Sequence, residues 1–335
     1  MTGGAWLVTG ASGFLGRHLL QTIGSSPTPR RTIALVRSLE EWRRMEWTAA
    51  LERVEPLQGS VTDLSGWVRS PVLDGLAGIF HLAALVRHGR EDVEEVFRTN
   101  VLGTTAMLRL AASRRCRMVF VSTSGTVGCF KRPGGSADED APYCDTLVQS
   151  WPYYHSKIMA EQEARRLAVE LGADLVIVRP PVLLGPGDHR FRSTAHLIRF
   201  LRGRQPFVIR GGMHFVDVRD AAAALVRAME RPAARPVYHL PGTVCTIQEF
   251  FALAASVSSR PAPRLVLPFR LAWWLATLAR PLHLLPEPAA IEMASHHWAM
   301  QSRYAGEELG YASRPGRETM AETVAWLRAH HPALA

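Results

Sequence analysis

The chain has 335 residues, of which 47% are hydrophobic, and a formal net charge of +9. That is enough apolar material for a large buried core, and it excludes a disordered or collagen-like chain. The charge invites a nucleic-acid partner, but the arginines are scattered without a dense basic run, so a solvated basic surface is expected and nucleic acid is not.

Ala5-Trp6-Leu7-Val8 is a short apolar run that reads as a buried parallel strand. It leads through Thr9-Gly10-Ala11-Ser12-Gly13-Phe14-Leu15-Gly16 into a helix that continues over Arg17-His18-Leu19-Leu20. Gly10 permits a tight turn, Gly13 lets backbone approach a pyrophosphate and Gly16 lets the helix pack on the strand, while N–H groups at the helix start face the anion. Thr32–Val36 forms a second strand ending at Arg37, and Val54–Gln58 a third, followed by Gly59 to Asp63. The fourth, Gly78–Leu82, runs into Ala83-Ala84. One helix is expected from about Asp92 to Ser113, then a fifth strand over Met118–Ser122, a helix over Tyr153–Leu171 and a sixth strand over Asp174–Val178. Strands alternating with helices at this spacing give an α/β fold, a Rossmann-type doubly wound parallel sheet.

After Arg179 the alternation becomes irregular, with loops at Pro180-Pro181, Gly185-Pro186-Gly187 and Gly211-Gly212. Phe215–Met229 resumes strand-to-helix, Pro236–Leu240 reads as a strand, and the remainder from Thr246 is mostly helical. The expected organisation is interleaved: residues 1–178 plus about 206–240 bind a dinucleotide, and about 179–205 plus 241–335 form a smaller, mostly helical substrate-binding domain.

Cys116, Cys129, Cys144 and Cys245 show no metal-ligand spacing or paired pattern, so free thiols, no metal and a reducing cytoplasm are expected, with no leader before the first strand. Leu265 to Leu285 is interrupted by Arg270, Arg280, His283 and prolines and falls short of a membrane span, so no integral membrane segment is expected. Pro268–Ala279 is too apolar for a fully solvated helix. Core packing is its first expectation, ahead of lining an apolar substrate pocket or meeting a membrane surface.

Tyr153 and Lys157 stand at i and i+4 on one helix face. An ammonium near a phenol favours the phenolate, so Lys157 is expected to lower the Tyr153 pKa and make the pair an acid/base device. Lys157 can also donate to ribose hydroxyls, and it is one of only two lysines, with Lys131. Ser122-Thr123-Ser124 sits at the end of the fifth strand, where a hydroxyl could hold a substrate oxygen. At the end of the second strand, an acidic residue would bond the ribose of NAD, but Arg37 and Ser38 stand there. An arginine paired with a 2′-phosphate favours NADP(H), with NAD(H) the alternative. His189, Arg190, Arg192, His296 and His297 are candidate polar contacts for the substrate.

Taken together, these motifs resemble those of the extended short-chain dehydrogenase/reductase superfamily, of the NAD-dependent epimerase/dehydratase type. The character is closest to its 3β-hydroxysteroid dehydrogenase and dihydroflavonol reductase branch. The likeness rests on Thr9–Gly16, Asp63, His81-Leu82-Ala83-Ala84, Asn100-Val101-Leu102-Gly103-Thr104, Tyr153–Lys157, Arg179-Pro180 with Gly185-Pro186-Gly187, and Val216–Asp220, in that order. It implies Ser124 as the catalytic serine, with Ser122 the fallback, Tyr153 as proton donor or acceptor and Lys157 as its partner. The cofactor is then held by Gly10, Ser12, Gly13, Phe14, Leu15, Gly16, Arg37, Asp63, Leu82, Ala83, Ala84, Asn100, Tyr153, Lys157 and Pro180. The implied activity is hydride transfer between nicotinamide and a ketone or secondary alcohol of an apolar small molecule, in a homodimer. Gly125 and Thr126 replace the acidic pair that dehydratases of the superfamily carry after the catalytic hydroxyl. A nucleotide-sugar epimerase with tightly held NAD is the alternative enzyme, and a non-catalytic cofactor-sensing protein the alternative of another class.

Overall fold

The computed structural model describes residues 4–334 except 88, 90, 91 and 281–284. Seven strands form the central sheet: β1 (Ala5–Thr9), β2 (Thr32–Val36), β3 (Val54–Gln58), β4 (Leu76–His81), β5 (Arg117–Val121), β7 (Leu175–Arg179) and β11 (Val237–His239). All pair in parallel, in the order β3-β2-β1-β4-β5-β7-β11. The order reverses direction at β1, so a crevice opens at the carboxyl ends of β1 and β4.

Helices cover both faces. α1 (Phe14–Gly24) and α8 (Val218–Glu230) pack on one, α4 (Gly103–Ser113) and α6 (Pro152–Leu171) on the other, and α2 (Leu39–Arg44), α3 (Val93–Phe97), α5 (Asp145–Val148) and α7 (Ala195–Leu201) are the remaining helices of this part of the chain. Successive residues of a strand point to opposite faces, and in β1 and β2 both faces are buried, which is why these inner strands are apolar runs, whereas the edge strand β3 carries Glu55 and Gln58 outward. Trp6, Val8, Phe80 and Val119 meet Leu19 and Leu20 of α1 and Leu225 and Met229 of α8. Leu7, Ile79 and Phe120 meet Met107 and Leu108 of α4 and Ala164 and Leu167 of α6. Each fully buried leucine or phenylalanine contributes roughly 1.5–3 kcal/mol.

The rest of the chain supplies short strands and helices: β6 (Cys129–Phe130), β8 (Val182–Leu184), β9 (Phe207–Ile209), β10 (Gly212–Asp217), β12 (Thr243–Thr246), β13 (Leu265–Leu267), β14 (His297–Trp298), α9 (Ile247–Ser258), α10 (Phe269–Ala279), α11 (Pro288–Ala294), α12 (Ala305–Leu309) and α13 (Gly316–His330). β8, β10 and β12 make a small sheet, β9 pairs with β13, and β6 pairs with β14. Phe215, Leu197, Phe250 and Val324 gather a second core around them.

Two expectations change. The single helix from Asp92 to Ser113 is instead α3 and α4 joined by a π-helical turn over Arg98–Leu102. The apolar periodicity runs through this turn unbroken; what widens the helix is Asn100, whose side chain is committed to backbone outside it. The core reading of Pro268–Ala279 also fails for most of its large side chains, although Trp273 packs partly buried beside Ala272 and Ala276. In α10 only Ala272 and Ala276 are buried, whereas Leu271, Trp274, Leu275 and Leu278 are exposed. His283 lies outside the described residues. No helix among the described residues is long and apolar enough to cross a membrane.

Candidate active site

The turn after β1 is built from backbone. Gly10 has φ +70°, and a Cβ there would lie 2.8 Å from the Ala83 nitrogen and the Leu82 carbonyl carbon. A Cβ on Gly16 would lie 2.3 Å from the Gly10 oxygen, so α1 can sit on the turn only with glycine. Gly13 is the N-cap of α1 and offers no side chain, and the first turn carries no acid. The early N–H groups of α1 are thus presented to an outside acceptor, as a dinucleotide pyrophosphate requires. The residues present fit that group.

A buried relay holds the turn to β4. Thr104 Oγ1 donates its only proton to the Asn100 carbonyl at 2.6 Å, so His81 Nε2 donates to Thr104 at 3.0 Å. His81 Nδ1 then accepts from Thr9 Oγ1 at 2.9 Å, and Thr9 Oγ1 accepts the Ala83 N–H at 3.2 Å. Burial pushes His81 down to about 3, which keeps the ring neutral and this chain of donors intact. Asn100 accepts the Leu85 N–H at 2.7 Å and donates to the Leu85 carbonyl at 3.1 Å and to Ser156 at 2.9 Å. It therefore ties the loop after β4 to α6.

At the end of β2, a small pocket is lined by Ser12, Arg37, Ser38, Glu41 and Arg190, among others. Arg190 donates to Ser12 Oγ at 3.4 Å, and burial, then the charges of Arg192 and Arg37, lower its guanidinium pKa. Two cationic groups converge where an anion would relieve their repulsion. Asp63 is exposed, and Ser65 donates to it through Oγ at 2.7 Å and N–H at 3.0 Å, holding its carboxyl below the ordinary value.

The Ser124 turn follows β5. Ser124 is buried, its N–H donates to the Pro180 carbonyl at 2.9 Å, and its own carbonyl accepts the Gly128 N–H at 2.8 Å. The turn packs on α6, which carries Tyr153 and Lys157. Lys157 is fully buried, donates to the Val121 carbonyl at 2.7 Å and lies 4.2 Å from the centre of the Phe120 ring. Burial draws its ammonium down to about 7, with Glu161 opposing the shift. The expected lowering of the Tyr153 phenol does not occur here, because burial pushes it up to about 12. The phenol holds its proton at neutral pH.

Glu161, one turn beyond Lys157, is the functional side chain that the sequence reading missed. It is fully buried and receives Arg179 Nε at 3.0 Å, a second bond from Arg179 Nη2, Tyr143 at 3.0 Å and Thr126 Oγ1 at 3.2 Å. Against the burial that would raise it, Arg179 holds this carboxyl below its ordinary value. Arg179 also donates to His239 Nε2 at 3.1 Å, so His239 Nδ1 carries the proton and donates to the Gln301 carbonyl at 3.0 Å. Thr126 of the Ser124 turn shares its one hydroxyl proton between the Thr123 carbonyl at 3.0 Å and Glu161 of α6 at 3.2 Å, so this carboxylate is one contact between turn and helix. An acid four residues after a lysine on one helix face was the available signal.

Aromatic side chains flank the site. Tyr154 covers Gly125 so closely that a Cβ there would lie 2.1 Å from its ring. A side chain at 125 would require the Tyr154 ring to move. Trp298 lies 5.1 Å from Tyr154, and His296 lies 5.0 Å from Trp151. Of the polar contacts expected for a substrate, His296 and His297 fall on this side. His189 instead packs 5.8 Å from Trp47, and Arg190, with Arg192 near it, stands at the end of β2. All four cysteines are free, and no histidine, cysteine or carboxylate cluster suited to a metal occurs among the described residues.

Comparison with known proteins agrees with this geometry. The model of the NAD dependent epimerase/dehydratase family matches residues 6–240. The chain is 30% identical to a putative dihydroflavonol 4-reductase of Synechocystis, over 97% of this chain and 95% of that one. It is 31% identical to the 4-hydroxy-2-methyl-3-oxo-4-farnesyl-3,4-dihydroquinoline-1-oxide ketoreductase of Stigmatella aurantiaca, over 92% and 91%. The crystal structure of gox2253 superposes with a TM-score of 0.82 at 28% identity, covering 98% of this chain and 99% of that one. With the glycine turn, the reversed strand order and the tyrosine–lysine helix in place, this chain belongs to the NAD-dependent epimerase/dehydratase family and is an NAD(P)-dependent enzyme of the short-chain dehydrogenase/reductase type.

Proposed function

We propose that the protein is a reductase that prefers NADP(H) and acts between a ketone and a secondary alcohol on an apolar small molecule. The observation that carries this reading is the packing of the Ser124 turn against the helix bearing Tyr153 and Lys157, at the strand ends that also deliver the glycine turn. The names of the dihydroflavonol reductase and ketoreductase relatives support the reaction class.

In this reading Gly10, Ser12, Gly13, Phe14, Leu15 and Gly16 cradle the pyrophosphate. Arg37 with Arg190 takes the 2′-phosphate, Asp63 meets the adenine, and Leu82, Ala83, Ala84, Asn100 and Pro180 line the rest of the cofactor cleft. The bound nicotinamide supplies the hydride chemistry. Ser124 holds the carbonyl oxygen and Tyr153, kept protonated by burial, gives that oxygen its proton. Lys157, held by Val121, donates to the ribose and adds positive charge beside the phenol. Tyr154 and Trp298, backed by the buried Trp151, offer an apolar wall to the substrate. In the oxidative direction Tyr153 must first lose its proton, so alcohol oxidation rises toward alkaline pH.

The test is a fluorescence titration of nucleotide-stripped protein with NADPH and NADH, followed by turnover on a panel of aromatic and alicyclic ketones. Reversible binding, tighter for NADPH, with ketone-dependent consumption of NADPH is the expected result. NAD released only on denaturation, with no ketone turned over, would overturn the reading in favour of epimerisation.

A further inference from the structure

We infer that the outer face of α10, with β13 beside it, is a docking surface for an anionic lipid bilayer. The helix is inside out relative to one that serves a core. Its alanines, Ala272 and Ala276, face Phe207, Ile209 and Ile291. Its large residues follow i, i+3, i+4, i+7 along the outer face: Leu271 is 48% exposed, Trp274 59%, Leu275 39% and Leu278 74%. Leu265 of the neighbouring β13, paired with Phe207 on the α10 side, is exposed as well. A contiguous apolar stripe of this kind marks an interaction surface rather than scattered surface residues.

Charge identifies the occupant. Between Glu249 and Glu287 no aspartate or glutamate occurs, whereas Arg260, Arg264 and Arg270 do and are exposed; Arg280, also exposed, pairs with Glu287 at 3.3 Å. A second copy laid two-fold on this face would set arginines against arginines with no acid in the segment to answer them. A surface that takes tryptophan and leucine at the acyl boundary and arginine at the phosphate level satisfies both features. The inner side of α10 connects to the site through α11. α10 packs on α11, and His296 and Trp298, just beyond α11, pack on Trp151 and Tyr154.

The test is flotation of the purified full chain with vesicles of phosphatidylcholine alone or of equal parts phosphatidylcholine and phosphatidylglycerol, at ~0.05 M and ~0.5 M salt. Binding to the anionic vesicles at low salt, about tenfold weaker on neutral vesicles or at high salt, is expected. The pair Trp274→Ser with Leu278→Ser should lose about tenfold or more of that binding, and Arg264→Gln with Arg270→Gln should lose its salt dependence. NADPH affinity, unchanged in both pairs, confirms that they fold. Equal failure to bind either vesicle would overturn the inference. So would a dimer seen by sedimentation that Trp274→Ser with Leu278→Ser dissociates, which would assign the face to a second copy.

Discussion

At the carboxyl ends of β1, β4 and β5 the chain buries charge, and along α10 it exposes grease; the two regions invert the usual rule in opposite directions. Lys157, Glu161, Arg179 and His81 are all withdrawn from water, and each has a partner at hydrogen-bond distance. Burying such groups is costly unless every bond is made, so the network tolerates one arrangement and fixes where Tyr153 and the Ser124 turn stand. The outer residues of α10 make no such network. Their arrangement specifies an environment and leaves the geometry inside the molecule untouched.

The largest effect that could break this contrast is expected at Glu161. Replacing it with glutamine leaves the Arg179 guanidinium buried without its counter-charge and should lower stability by about 3–5 kcal/mol in denaturant unfolding. A loss below about 1 kcal/mol would mean that the pair does not hold the turn to α6.

Next comes pH. The Lys157 ammonium titrates near 7 in the folded chain and 10.5 in the unfolded one, so between these values the unfolded chain binds more protons. Its burial penalty is therefore full below pH 7 and is relieved as pH rises toward 10.5. The wild type should gain stability relative to Lys157→Met over that window, by up to about 1.4 kcal/mol per pH unit. Parallel stability curves would show that Lys157 is not buried in its charged form.

The smallest effect concerns the rim of the cofactor cleft, where Arg37 is exposed and no network is at stake. Arg37→Asp should weaken NADPH about tenfold more than NADH, as expected for one charged hydrogen bond of ~1.5 kcal/mol. An unchanged ratio would leave the 2′-phosphate to Arg190 alone.

These regions also differ in how far the sequence discloses them. The glycine turn is legible because its chemistry lies in consecutive backbone, and the sheet because alternate residues must be apolar on both faces. Tyr153 and Lys157 follow from helical spacing. Arg190 could not be placed in this way, since only the folded loop brings it back from 178 positions away to Ser12. The His81–Thr104 bond crosses from β4 to α4, and the π-helical turn at Asn100 leaves the apolar period intact, so neither shows locally. For α10 the composition announces an apolar helix but not which face turns outward. That is decided by Phe207, Ile209 and Ile291, against which Ala272 and Ala276 pack.

Whether Tyr153 supplies the proton is decided by comparing Tyr153→Phe with the wild type on a ketone that the wild type reduces. With Tyr153 as donor, kcat falls by about 10²–10⁴-fold with the NADPH dissociation constant little changed. Undiminished kcat in the phenylalanine variant would contradict it, and the proton donor would have to be sought elsewhere.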